Sequence, residues 1–121
     1  MDTHRLGRRF ELVAARHLEA RGWRVLARNV RWRRKEVDLV VRRDGMVAFV
    51  EVKGRTGSEC GHPLEAVTPR KRREIESVAR WWVERHGAPG LVYRFDAVAV
   101  EQGADGRLRV LHVPDAWRPA W

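Results

Sequence analysis

A single cysteine, Cys60, in 121 residues leaves no partner for an internal disulfide and no cysteine set for a zinc site. A reducing cytoplasm is therefore the expected compartment. Met1 to Gly7 lacks the apolar core of a signal peptide, and no stretch approaches the roughly 18 consecutive apolar residues of a membrane span. Neither secretion nor contact with a membrane is expected. Internal repeats and low-complexity tracts are absent too, and the length suits one domain with a real core rather than two.

Lysine is scarce. Of 25 basic residues only Lys35, Lys53 and Lys71 are lysine, the rest being arginine, whose planar fork suits phosphate better than a point charge does. The net charge is +9 and the isoelectric point about 11.2. A polyanion is the natural partner, nucleic acid being one such partner, and the charge does not choose between DNA and RNA. A homodimer is compatible with this composition. The histidines at 4, 17, 62, 86 and 112 are scattered, and His17, on an apolar helix face, is expected in the core.

The patterning along the chain predicts the order αβββαββ. Leu6, Phe10, Val13, Ala14, His17 and Leu18 follow the three-to-four spacing of an amphipathic helix that Gly22 ends, with Glu11 at the edge of its apolar stripe. Trp23 to Trp32 reads as a first strand, followed by the basic connection Arg31-Trp32-Arg33-Arg34-Lys35. Glu36–Val41 and Met46–Lys53 are β-branched, apolar segments flanking Asp44-Gly45, a favoured two-residue turn pair. The segment Gly54 to Val67 is glycine-rich and predicted as a loop able to close over substrate.

Thr68-Pro69 predicts the start of a second helix, with Ile75, Val78, Ala79, Trp82 and Val83 on its buried face and Gly87 at its end. Its first turn, Arg70-Lys71-Arg72-Arg73, puts four cations where the helix dipole prefers anions, a surface suited to gripping phosphate. Leu91–Val100 and Arg107–Val113 complete the sheet, with Arg94 and Asp96 expected as an ion pair. The tryptophans are expected in packing, Trp32 among its arginines being the best exception.

The chemistry concentrates in the hairpin. With Asp44-Gly45 as the whole loop, Asp38 stands opposite Glu51 and Glu36 opposite Lys53, all four on one face because strand side chains alternate. Carboxylates about 5 Å apart repel unless something positive lies between them. A divalent cation, Mg²⁺ or Mn²⁺, fits there, since Mg²⁺ is commonly held by one or two carboxylates and fills its other positions with water and phosphate oxygens. Lys53 would point its ammonium at the same space, to hold an attacking water or to stabilise developing phosphorane charge.

A helix bearing a glutamate, a strand bearing an aspartate, then E-x-K and a second helix together resemble the PD-(D/E)xK nuclease superfamily over nearly the whole chain. More narrowly, Leu6-Gly7 with Glu11, Arg28-Asn29-Val30-Arg31, Glu36-Val37-Asp38-Leu39-Val40, Phe49-Val50-Glu51-Val52-Lys53-Gly54-Arg55, Lys71 and Arg94-Phe95-Asp96 resemble the YraN-like bacterial family. Lys35 stands where that family usually has glycine.

The resemblance implies a restriction-endonuclease-like α/β fold with a central mixed sheet and flanking helices. It also implies similarity to archaeal Holliday junction resolvases, and hence endonucleolytic hydrolysis of phosphodiester bonds in structured or branched DNA. By resemblance, Asp38 and Glu51 bind the metal, Glu11 completes or orients its shell, and Lys53 assists the nucleophile. Nucleic acid would be gripped by Arg31, Arg33, Arg34, Lys35 and Arg55, and by Arg70, Lys71, Arg72 and Arg73. The rival expectation is a nucleic-acid-binding adaptor that keeps the nuclease fold without catalysis.

Overall fold

The computed structural model describes residues 3–56, 62, 65 and 67–119, with the side chains of 3–6 excepted. The elements run α1 (Thr3–Glu19), β1 (Arg24–Trp32), β2 (Lys35–Arg43), β3 (Met46–Thr56), α2 (Pro69–His86), β4 (Val92–Gln102) and β5 (Leu108–Trp117). This is the expected αβββαββ order. The strands form one sheet in sequence order, antiparallel except for the parallel pair β3 and β4, which α2 connects. A parallel pair needs such a crossover, whereas β1, β2 and β3 need only tight turns.

Each face of the sheet carries one helix. Phe10, Ala14, Ala15 and Leu18 of α1 pack on Leu39, Val41, Ala48, Val50 and Val52. On the other face Ile75, Val78, Ala79 and Trp82 of α2 pack on Val37, Val40, Val47, Phe49 and Phe95. Trp23, Trp82 and Trp117 are buried, as packing residues should be. Phe49 meets the Trp82 ring edge-on at 5.7 Å between centroids, and Phe95 stacks on Trp117 at 5.1 Å.

The turns hold the register. Asp44, at φ 53°, and Gly45 link Arg43 to Met46, so partners across β2 and β3 fall on the expected diagonal from Arg43↔Met46 to Leu39↔Val50. Between β1 and β2, Arg33 and Arg34 take φ 50° and 67° and Trp32 pairs with Lys35. Lys35 is thus ordinary strand, and the left-handed backbone falls on the two arginines before it.

At α2, Thr68 Oγ1 accepts from Lys71 N at 3.2 Å, Pro69 takes the first turn, and Gly87 N donates to Val83 O at 2.8 Å. Both predicted helix ends are correct. The expected loop from Gly54 is a correction in part: Gly54, Arg55 and Thr56 continue β3 beside Val100, Glu101 and Gln102. Of the remainder, 57–61, 63, 64 and 66 lie outside the described residues.

Gly54 has a packing role. A Cβ there would overlap the Phe10 ring. The bare backbone lets α1 settle onto β3, and Glu11, the residue after Phe10, is carried to the end of the sheet.

Candidate active site

An irregularity in β1 and β2 builds the site. Pairing runs through Ala27↔Val40, Arg28↔Leu39 and Val30↔Val37, and the pair missing from that run is Asn29 with Asp38. Regular alternation would put Val37 and Leu39 on one face, yet Val37 packs with α2 and Leu39 with α1. Ala27 and Val30, three apart, likewise both lean on the α2 side. The facing of side chains therefore slips by one residue in both strands at Asn29 and Asp38, although the β1–β2 register holds from Ala27↔Val40 to Trp32↔Lys35 and shifts only between Val25 and Ala27. Asn29 absorbs the facing slip with φ 50°. Asparagine tolerates that left-handed conformation better than most residues with a Cβ.

The slip corrects one expectation. Glu36 does not face Lys53: it turns to the α1 side, where Glu36, Glu11 and Asp38 each offer an oxygen within 4.8 Å of the others. The strand ladder stops at Leu39↔Val50, and Asp38 Oδ2 instead accepts Val52 N at 2.7 Å. Asp38 is the hub, its carboxyl meeting that of Glu11 on one side and that of Glu51 on the other. Glu51 follows Val47 and Phe49 on the α2 face, is 9% exposed, and its Oε2 has no hydrogen-bond partner. Gly7, Arg8, Glu11, Asn29, Arg31, Glu36 and Asp38 line an open cavity of about 200 Å³.

Crowded acids hold protons. Burial, then the charges of Asp38 and Glu36, push Glu11 up to about 7, with Arg8 opposing. Burial raises Asp38 as well, against the Val52 N–H, and burial and Asp38 raise Glu51, against Lys71 and Lys53. An extra positive charge among these carboxylates would release both strain and protons.

Most of the expected site residues converge here. Glu11, Asp38 and Glu51 come together, and Lys53, though exposed, acts electrostatically on Glu51. Lys71, expected only as a phosphate contact, is felt by both Asp38 and Glu51. Thr68 and Pro69 place it by fixing where α2 begins. Sequence reasoning missed Glu36 and Asn29 as site members. The signal was there in the three-residue spacing of Ala27 to Val30 and of Val37 to Val40.

The expected phosphate contacts divide. Arg31 pairs with Glu36 at 3.3 Å, and Arg33 lies over the Trp32 ring at 4.5 Å. Arg55 is tied to Glu101 at 3.3 Å, and Arg72 donates to Val67 O at 3.0 Å while lying over Trp117. These last two act within the fold. Arg34, Lys35, Arg70 and Arg73 remain on the surface, Arg70 beside Glu74 at 3.6 Å.

A mixed sheet with one helix on each face, arranged αβββαββ and gathering acids where a strand pair slips, defines a restriction-endonuclease-like α/β domain with a carboxylate well. Residues 10–100 match the model of the uncharacterised protein family UPF0102, and the chain belongs to that family. It is 44% identical over 115 residues to a UPF0102 protein of Symbiobacterium thermophilum, covering 95% of this chain and 98% of the relative. A UPF0102 protein of Anaeromyxobacter dehalogenans is 47% identical over 112 residues, covering 93% and 83%. One from Parafrankia sp. is 43% identical over 110, covering 91% and 93%. No helix among the described residues is long and apolar enough to cross a membrane.

Proposed function

We propose that the well takes up a divalent cation, Mg²⁺ or Mn²⁺, and that the protein is an endonuclease hydrolysing phosphodiester bonds in structured or branched DNA. The observation that carries this reading is Glu51, a carboxylate nine-tenths buried against Asp38 with one oxygen unpartnered, in a chain of net charge +9. Buried carboxylates without a positive partner are costly, and a cluster of hard oxygen donors suits these two ions. Asp38 and Glu51 would hold the metal, with Glu11 beside Asp38. When bound, it would lower the pKa of a water and neutralise a phosphate oxygen.

The chain supplies the rest. The Lys53 ammonium, two residues beyond Glu51, orients the attacking water or offsets phosphorane charge, and Lys71 adds a second cation from the start of α2. Arg34, Arg70 and Arg73, all exposed, and the half-buried Lys35 provide positive charge for the phosphate backbone. The preference for branched DNA rests on the resemblance to Holliday junction resolvases.

A panel of linear, flapped and four-way-junction DNAs and structured RNA, each with Mg²⁺ and with Mn²⁺, tests the proposal. Cleavage of a DNA is expected, with loss of at least about a hundredfold in Glu51→Ala and Lys53→Ala at nearly unchanged affinity. Glu11→Ala should lose less. Binding without cleavage of any substrate would establish the adaptor reading instead, and failure to bind at low salt would discard both.

A further inference from the structure

Asn29 is the part of the well with no assigned role. It is exposed in the cavity wall, held at φ 50° where β1 and β2 slip, and its amide reaches between two carboxylates. With its nitrogen inward, Nδ2 donates to Glu11 Oε1 and Glu36 Oε1 at 2.7 Å each and to Glu11 Oε2 at 3.1 Å. A neutral donor there does part of a cation's work, since it joins two acids that would otherwise repel. A half-turn about the last side-chain bond would put the amide oxygen in the same position. The separations from that position to Glu11 and to Glu36 are close to the edges of an octahedron with arms of about 2.1 Å, which are roughly 3 Å long, and Glu11, Glu36 and Asp38 offer oxygens within 4.8 Å of one another.

We propose that Asn29 is a two-position amide: nitrogen-inward, it holds Glu11 and Glu36 together in the cation-free well, and oxygen-inward, it joins them as a neutral ligand to a divalent cation. The inference rests on the reading of the well as a cation site and deepens it. It makes Glu36 and Asn29 part of the binding set and gives the strand slip a purpose, because a regular β1 would turn the amide away. The charges facing the amide are Glu11, Glu36 and Asp38, with Arg8 and Arg31 on the rim and Glu51, Lys53 and Lys71 beyond Asp38.

Two substitutions separate the amide from the backbone. Asn29→Gly keeps the left-handed conformation without strain and removes the amide. Asn29→Asp also tolerates that conformation and supplies oxygens only. Melting in chelator and Mn²⁺ affinity by calorimetry are the readouts, with no substrate present. Asn29→Asp should melt roughly 4 °C lower without metal and bind Mn²⁺ about tenfold more tightly, whereas Asn29→Gly should bind it about tenfold more weakly.

The opposite signs in Asn29→Asp are the signature, because a merely structural residue would lower stability with and without metal alike. Wild-type Mn²⁺ affinity in both variants would overturn the proposal. If the wild-type protein binds no Mn²⁺, the cation reading fails, and the metal-free arm still judges the amide. Asn29→Asp should then melt low and recover when Glu11→Gln is added, and an unchanged melting temperature in Asn29→Asp would refute it.

Discussion

Two buried acids stand on neighbouring, paired strands of one sheet, Glu51 on β3 and Asp96 on β4, and they have opposite surroundings. Asp96 is 1% exposed and fully engaged. Arg94 donates to both its oxygens, at 2.9 and 3.0 Å, His112 Nε2 lies 2.7 Å from Oδ2, and Asp115 N donates to Oδ1 at 3.0 Å. Burial alone would raise its pKa, but the hydrogen bonds from His112, Arg94 and the Asp115 backbone lower it below the usual value. Glu51 is buried nearly as deeply, faces another acid, and keeps an oxygen unpartnered. A fold that needs a buried charge for its own stability surrounds it with donors, as at Asp96. One that leaves a buried carboxylate facing others has kept room for something from outside.

Substitution should split the pair by sign. Asp96→Ala strands the Arg94 guanidinium, His112 and the Asp115 N–H, and should cost roughly 3–5 kcal/mol. Glu51→Gln, measured without metal, removes a repulsion and should leave stability equal or raise it by about 1 kcal/mol. Urea unfolding in chelator reads both. Equal destabilisation by the two variants would show that Glu51, like Asp96, is a structural acid.

A smaller effect separates the same acids by pH. Glu11, Asp38 and Glu51 have folded pKa values raised above their unfolded ones, 4.5 for the glutamates and 3.8 for Asp38, so their contribution is fully present below those values and is lost as pH rises through the folded ones, about 7 for Glu11. Asp96 has the reverse sign. Its contribution is present above its ordinary 3.8 and is lost as pH falls through its depressed folded value. The metal-free protein should therefore be most stable near about pH 4–5 and decline on the alkaline side. Saturating Mn²⁺ should flatten that decline and leave the acid limb alone. An alkaline limb unchanged by Mn²⁺ and by Glu51→Gln would assign it elsewhere.

The Asp96 side of this comparison was the more legible in sequence. Arg94 and Asp96 share a face at a spacing of two, and an ion pair follows from strand periodicity alone. The order of elements, the Asp44-Gly45 turn, the register from Arg43 to Leu39 and both caps of α2 were readable for the same reason: each depends on a few adjacent residues. His112 and Asp115 were not legible as partners of Asp96, because they come from β5 across a register shift between Phe95 and Ala97.

On the other side, Asp38 and Glu51 were found because a two-residue turn propagates its register for several pairs. Glu36 was misplaced by extending that register past a slip that local pattern shows only faintly. His17, expected in the core, is only partly buried and lies 3.2 Å from Arg21, since the buried stripe of α1 runs through Phe10, Ala14, Ala15 and Leu18 and leaves His17 at its edge.

The smallest expected effect concerns the cations around the well, which the comparison divides again into those the fold has used and those it has left outward. Arg72 and Arg55 are engaged as Arg94 is, by Val67 O and Glu101, whereas Arg73 and the 86% exposed Arg70 face solvent at the first turn of α2. Replacing Arg70 and Arg73 by glutamine should weaken DNA binding similarly for all sequences. It should also lower the slope of log affinity against log salt by roughly 0.9 for each lost duplex phosphate contact. The helix should not suffer, because removing cations from its N-terminus is worth some tenths of a kcal/mol and offsets the loss of the exposed Arg70–Glu74 pair. Arg72→Gln alone should behave the other way, lowering the melting temperature while leaving the salt slope nearly unchanged. A salt titration with the same slope in the Arg70 and Arg73 double variant would move the phosphate grip to the β1–β2 turn, where Arg33 and Arg34 are exposed and Lys35 is half-buried.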